Sequence, residues 1–402
     1  MADYFIEEES LVAIADAIRL QIGTNNVIFP EDMPEEIRSN TGNVKDFIER
    51  TATTMRHGAL EVIGDYAFYN NTTIETISFP NCTTVGVDAF TGCTNITNVT
   101  LGTETVYSFP SAVSTLATLS FSNGLNIGNN YFSNCKNLTT VTFPNCTTIG
   151  QSAFNGCTNL TTANFPNCTT LGTNAFNGCQ NISTVELNVN LSLTNSNNPF
   201  KSALAALTEI KWNNCTSIGA NVFGSSAAER IDVCPNLRVA HFSSCVNVGN
   251  NAFDWCVSLN DIDFPACTSI GERAFAHCTN LTYIDFPACT TIGRAAFLKC
   301  SSLAWVGLPA CKTLGSQAFI YCNDLESVDL PVCTSIGTDA FASSPNFKRL
   351  TLGHNAVVTL ADVNAFNNTH YNLSIYVPAS LVNAYKGATN WSNFADKIFP
   401  AT

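Results

Sequence analysis

Residues 264–285 read FPACTSIGERAFAHCTNLTYID, and the next 22, 286–307, read FPACTTIGRAAFLKCSSLAWVG. Far upstream, 143–164 (FPNCTTIGQSAFNGCTNLTTAN) follows the same pattern. A fixed period of this length is the mark of a solenoid, in which no unit can bury its apolar face alone and stacking makes one continuous core. Such a chain grows by adding units, so its 402 residues do not demand two or three separate cores. Units begin at 57, 79, 101, 121, 143, 165, 187, 212, 242, 264, 286, 308, 330 and 352. The step from 101 is short and degenerate. The steps from 187 and 212 carry insertions (LTNSNNPFKSAL and SSAAERIDVCPN) that read as loops or irregular turns, dividing a regular N-terminal half from a more regular C-terminal one.

Within a unit, L-x-x-[VI]-x-[FL]-P predicts a short strand ended by proline. C-T-x-I-G predicts a second extended segment closed by a glycine turn, and A-F-x-x-C a tight turn or single helical turn. The buried set is Phe264, Cys267, Ile270, Ala274, Phe275, Cys278, Leu281 and Ile284, repeated each unit. Cysteine belongs to this set. Cys135 to Cys179, and again Cys234 to Cys333, recur every 11 residues, half the repeat, which predicts two columns of free, buried thiols. Zinc sites use close pairs such as C-x-x-C, and none occurs, so no metal is expected.

The ends differ from the repeats. Residues 1–40 form an N-terminal helical docking or oligomerisation module. Ser10 is an N-cap, Gly23 a C-terminal stop, and Leu11, Ile14, Ala15, Ile18 and Ile22 make one apolar stripe on a helix too short to stand alone. FPEDMPEEIRSN adds a short second helix. Residues 41–56 are a transition in which FIERTATT supplies a capping strand, 57–377 form the solenoid, and 378–402 a C-terminal cap. There, a strand ending at Pro378 leads into a helix from about Ala379 and a closing segment with Trp391 and Phe394.

Charge and motif narrow the function. A net charge of −13 opposes nucleic acid and anionic membrane as partners. No apolar run is long enough to insert in a membrane, and MADYFIEEES lacks the basic start of a signal peptide, so folding in a cytoplasm is expected. The five histidines (His57, His241, His277, His354 and His370) sit in no nucleophile, metalloprotease or phosphate-loop motif, so neither enzyme activity nor a cofactor is expected. Triplets such as those at Asn145, Asn159 and Asn167 match a glycosylation acceptor, but they are a by-product of the repeat.

Binding would fall to the positions that vary between copies. Flanking the buried strand residues are Asp261, Asp263, Tyr283, Asp285, Trp305, Asp329 and Arg349, an acidic and aromatic candidate ligand-binding face. Rings there could stack on sugar, and aspartates one repeat apart could hold a cation; the plainer reading is a solvated face. The corresponding N-terminal positions are bland: Thr140, Thr142, Thr162, Asn164 and Thr184. A candidate second surface precedes the second cysteine, at Trp255, His277, Lys299 and Tyr321, where N-terminal units have Gly156 and Gly178.

The unit IGERAFAHCTNL resembles the BspA-type leucine-rich repeat family over roughly residues 57–380, and IYVPASLVNAYKGATNWSNFADKI resembles the usual end of such proteins. The resemblance implies a β-rich, right-handed leucine-rich-repeat solenoid that binds or adheres. LVAIADAIR followed by FPEDMPEEI resembles a short N-terminal module of bacteriophage structural and tail-fibre proteins. Together these imply a virion structural protein assembled in a bacterial cytoplasm. It would be a fibre or receptor-binding component joined to other virion proteins through residues 1–40 and presenting its solenoid to a host-surface glycan or protein. A homo-oligomer is expected, a trimer being natural for a fibre. The alternatives are a bacterial cell-surface adhesin of the same repeat family and a purely architectural virion protein.

Overall fold

The computed structural model describes residues 53–56, 62–63, 68–82, 84–85, 89–101, 115–121, 125–194, 198–200, 203–225 and 233–401. The N-terminal helical module, its stripe Leu11 to Ile22, and most of FIERTATT lie outside them. The chain is a parallel β-solenoid of 22-residue repeats with few helices, and it divides into two compact units, residues 1–182 and 183–402.

In unit 1, strands Thr54–Arg56, Thr76–Phe79, Asn98–Leu101, Thr118–Phe121, Thr140–Thr142 and Thr162–Phe165 pair in parallel, each with the next. In unit 2 the same ladder runs through Thr184–Leu187, Glu209–Trp212, Val239–His241 and Asp261–Asp263. It resumes as Tyr283–Asp285, Trp305–Gly307, Ser327–Leu330, Arg349–Leu352, Ser374–Val377 and Ile398–Pro400. The irregular steps read from the sequence agree with the pairing: Leu101 lies beside Phe121, Leu187 beside Trp212 and Lys211 beside His241. The C-T-x-I-G segments form a second ladder. In unit 2 it is unbroken from Ser192–Leu193 to Thr359–Leu360.

Alternation puts every second strand residue inside. Val141, Ala163, Ile210, Ile284 and Leu350 are fully buried. Phenylalanines stack rung on rung: Phe275 lies 5.4 Å from Phe297 at 1°, and Phe154 lies 5.4 Å from Phe176 at 3°. The A-F-x-x-C segment is a turn and not a helix. The glycine after the second ladder lets backbones touch: a Cβ on Gly293 would lie 2.5 Å from the carbonyl carbon of Gly271.

All 18 cysteines are buried and free. Their thiols explain why the repeat uses cysteine and not alanine. One column donates to a carbonyl of the preceding rung, as from Cys278 to Phe253 (3.3 Å) and Cys300 to Phe275 (3.1 Å). The other donates to the carbonyl two residues on, as from Cys267 to Ser269 (3.3 Å). A small apolar group with one weak donor fills the space and adds a second bond to a carbonyl that already accepts a backbone N–H, as that of Phe253 does from Cys256 (3.1 Å). In the last regular turn Ser344 does the same, its hydroxyl donating to the Phe319 carbonyl at 2.9 Å. Burial pushes the Cys245 and Cys333 thiols up to about 11 and Cys215 and Cys311 to about 12, keeping them protonated and unreactive.

The C-terminal segment caps the second ladder and extends the first. After the expected strand Ser374–Val377 comes a short helix, Val382–Gly387. Tyr385 accepts at its hydroxyl from the Val358 N–H (3.0 Å), Trp391 Nε1 donates to the Val358 carbonyl (2.7 Å), and Asn390 donates to the Leu360 carbonyl (2.8 Å). These side chains satisfy the open edge of the second ladder. The cap is not helical alone: strand Ile398–Pro400, which the sequence pattern did not reveal, adds a last rung beside Ser374–Val377.

Candidate functional site

The alternation that buries Ile284 turns its neighbours outward, so the strand ladder carries two outward columns. In unit 2 one column reads Thr184, Glu209, Val239, Asp261, then Tyr283, Trp305, and then Ser327, Arg349, Ser374. The other reads Glu186, Lys211, His241, Asp263, and then Asp285, Gly307, Asp329, Thr351, Tyr376, Phe399. All seven residues of the predicted face therefore point outward, and all but Asp261, which is half-buried, are exposed. Trp305 is 53% and Tyr283 43% exposed, unusual for rings on a sheet. In unit 1 the columns are Thr76, Asn98, Thr118, Thr140, Thr162 and Ser78, Thr100, Ser120, Thr142, Asn164. These side chains hydrogen-bond each other, as from Thr118 to Asn98 (2.6 Å).

Two of the cations on the unit 2 face, Lys211 and Arg349, are engaged internally. Lys211 pairs with Glu209 at 2.6 Å, His241 Nε2 lies 3.1 Å from Asp261 without hydrogen-bond alignment, and the Arg349 guanidinium sits 5.0 Å from the Tyr376 ring centre. The centre differs. Among the described residues Asp263, Asp285 and Asp329 have no ion-pair partner. The indole of Trp305 lies across Gly307: a Cβ there would be 2.5 Å from Trp305 Cη2 and 2.6 Å from Asp285 Oδ1. The ladder is also interrupted here, Asp261–Asp263 ending one sheet and Tyr283–Asp285 starting the next. The break falls between the rungs that carry Asp263 and Asp285. Ile262, inward at the break, is 8% exposed, while Ile284 is fully covered.

The turn edge holds the second predicted group, with one correction. Tyr321 and Lys299 are exposed and Trp255 half-exposed, but His277 is buried. Its ring stacks on Trp255 at 3.8 Å and 5°, and its Nδ1 is 2.9 Å from Asp254 Oδ1. Asp254 is wholly buried and also accepts from Arg273 Nε (3.2 Å) and Nη2 (3.0 Å). Sequence reasoning passed over Asp254 and Arg273 because each is one variable position in one copy. Only the fold brings consecutive copies together. All four turn-edge residues take positive φ, from 59° to 68°, where unit 1 has Gly92, Gly156 and Gly178 together with Asn70 and Asn134. That conformation costs a side-chain-bearing residue energy.

Among the described residues no group of three or more His, Cys, Asp or Glu could hold a metal ion, and no helix is long and apolar enough to cross a membrane. His354 and His370 bond only to nearby backbone.

The sequence profile described as the BspA type Leucine rich repeat region matches in 6 copies, over residues 51–147, 125–248 and 246–374. A leucine rich cell surface protein from Faecalibacterium prausnitzii is 19% identical over 85% of this chain and 90% of its own, with a TM-score of 0.31. A leucine-rich repeat protein from Bacteroides ovatus is 16% identical over 88% and 85%, with a TM-score of 0.31. An internalin from Listeria monocytogenes is 11% identical over 90% and 94%, with a TM-score of 0.32. Comparison with curated proteins found no match.

Proposed function

We propose that this chain, which belongs to the BspA-type leucine-rich repeat family, is a recognition protein that adheres through the strand face of unit 2 and catalyses nothing. Leucine-rich repeat folds mediate protein–protein binding. The observation that carries the reading is the contrast between an interior repeated rung after rung and an outward face whose exposed rings and unpaired carboxylates, among the described residues, occur in unit 2 alone. Residues spent on stability would be alike in every copy; Tyr283, Trp305, Asp285 and Asp329 are not. The resemblance of residues 1–40 to phage structural modules supports the finer reading of a virion fibre or receptor-binding component, anchored and oligomerised by its N-terminus, with host surfaces as the target.

The test has two arms. Labelled full-length protein should bind whole bacterial cells of a susceptible strain, and a Tyr283→Ala/Trp305→Ala variant should lose that binding while melting at the same temperature. Equal binding by the variant would remove the strand face as the adhesive surface. Deleting residues 1–40 should spare cell binding but abolish incorporation into particles and the oligomer seen by sedimentation. Incorporation of the shortened chain would overturn the anchoring role.

A further inference from the structure

We infer that the strand face of unit 2 docks a cationic protein segment, with an arginine guanidinium seated on Trp305 between Asp285 and Asp329. The inference rests on the adhesive reading above and narrows it to one class of partner. Three observations lead to it.

The first is the seat itself. Asp285, Gly307 and Asp329 are consecutive in one outward column. The glycine leaves a gap, the Trp305 indole lies in it, and half of that ring remains open to solvent. Rungs about 4.8 Å apart put the backbones of Asp285 and Asp329 roughly 10 Å from each other, and Asp285 Oδ1 leans in over Gly307, 2.6 Å from where a Cβ would stand. A planar guanidinium stacked on the indole directs its N–H groups at a carboxylate on either side.

The second is charge. Asp263, Asp285 and Asp329 are exposed, and no cation of the chain reaches them among the described residues, although Lys211 and Arg349 on the same face are already engaged. Three uncompensated carboxylates beside two exposed rings are complementary to a positive partner. A neutral sugar would leave them uncompensated. Arginine is favoured over lysine because its flat, weakly hydrated fork both stacks and pairs in two directions.

The third is rigidity. Trp305 is held against Gly307 before anything binds, so the ring requires little ordering. Unit 1 has neither ring nor carboxylate at the matching positions and offers no such seat.

The test uses the full-length protein and a synthetic Gly-Arg repeat octapeptide, with a citrulline peptide of the same sequence as the uncharged control. Titration calorimetry should detect the arginine peptide, weakening as salt rises, and no citrulline peptide. Trp305→Ala and the Asp285→Asn/Asp329→Asn pair should each weaken binding about tenfold. Asp324→Asn, an exposed aspartate off this face, should leave it unchanged. Equal affinity for the citrulline peptide, or an unaltered affinity in the Asp285/Asp329 variant, would overturn the inference. So would competition by neutral maltoheptaose in place of the peptide, or a self-association abolished by Trp305→Ala, since each names another occupant. The two levels separate cleanly in the cell-binding assay. Dependence on Trp305 but not on the two carboxylates keeps the adhesive face and rejects the cationic partner. Dependence on neither rejects both.

Discussion

In unit 1 the outward strand residues are Thr76, Asn98, Thr118, Thr140 and Thr162; in unit 2 the matching column runs through Glu209, Val239 and Asp261 and continues with Tyr283, Trp305 and Arg349. Inward, the two units are interchangeable. Phe132, Phe154 and Phe176 stack in one as Phe275, Phe297 and Phe319 stack in the other. Cys157 donates to the Phe132 carbonyl as Cys300 does to that of Phe275. The repeat thus separates its tasks by side-chain direction. Inward positions must match the rung before and after, whereas outward positions need only tolerate water, and so are free to diverge.

The largest expected effect tests the shared interior. Phe154→Ala and Phe297→Ala remove fully buried rings that each stack on two others, and each should cost about 3–5 kcal/mol. Hydrogen exchange along the chain would read both units at once. Trp212, Trp255, Trp305 and Trp391 all lie in unit 2, so tryptophan fluorescence in a denaturant series reports that unit alone. Costs differing by more than about 1 kcal/mol would mean that the interiors are not equivalent.

A smaller effect separates the turn edges. Asp254 and Asn155 occupy the same place in the repeat. Asp254→Ala strands Arg273 and His277 without their acceptor in a buried site and should cost about 3 kcal/mol. Asn155→Ala loses one exposed contact with Asn177 at 3.3 Å and should stay within about 0.5 kcal/mol. Melting temperatures of the two variants decide it. Similar shifts would show that the Asp254 cluster is incidental to stability.

What was legible in the sequence follows the same division. The inward residues repeated in each unit, the irregular register at 121, 212 and 242, and the outward direction of Tyr283 and Trp305 follow from periodicity, because period-two alternation and the unit length leave no freedom. The Asp254–Arg273–His277 cluster did not, since each contact joins residues about one repeat apart and the outcome depends on which copy stacks on which. Gly307 was passed over for a related reason. In the sequence it is one strand residue out of pattern, and its purpose appears only when the Trp305 ring two residues back is seen lying over it. Strand Ile398–Pro400 carries no repeat signature, so only pairing with Ser374–Val377 reveals it.

The smallest effect addresses why unit 2 keeps bulky residues where unit 1 keeps glycine or asparagine. Lys299 holds a φ of 59°, and its amine lies 5.9 Å from the Tyr321 ring centre. Left-handed backbone costs a lysine about 1 kcal/mol relative to glycine, and an exposed cation–π contact returns about 0.5. Lys299→Gly should therefore stabilise the protein by about 0.5 kcal/mol. The reverse change in unit 1, Gly156→Lys, forces a side chain onto a φ of 76° with its Cβ 2.6 Å from Asn134 Oδ1, and should destabilise by about 1 kcal/mol. Paired denaturation curves give both signs. A stabilising Lys299→Gly would mean that the turn edge of unit 2 carries strain that the scaffold does not need, which is the expected condition of a surface kept for contact. A destabilising result would make Lys299 and Tyr321 part of the scaffold, and the strand face would then be the one place where the two units differ for a reason other than folding.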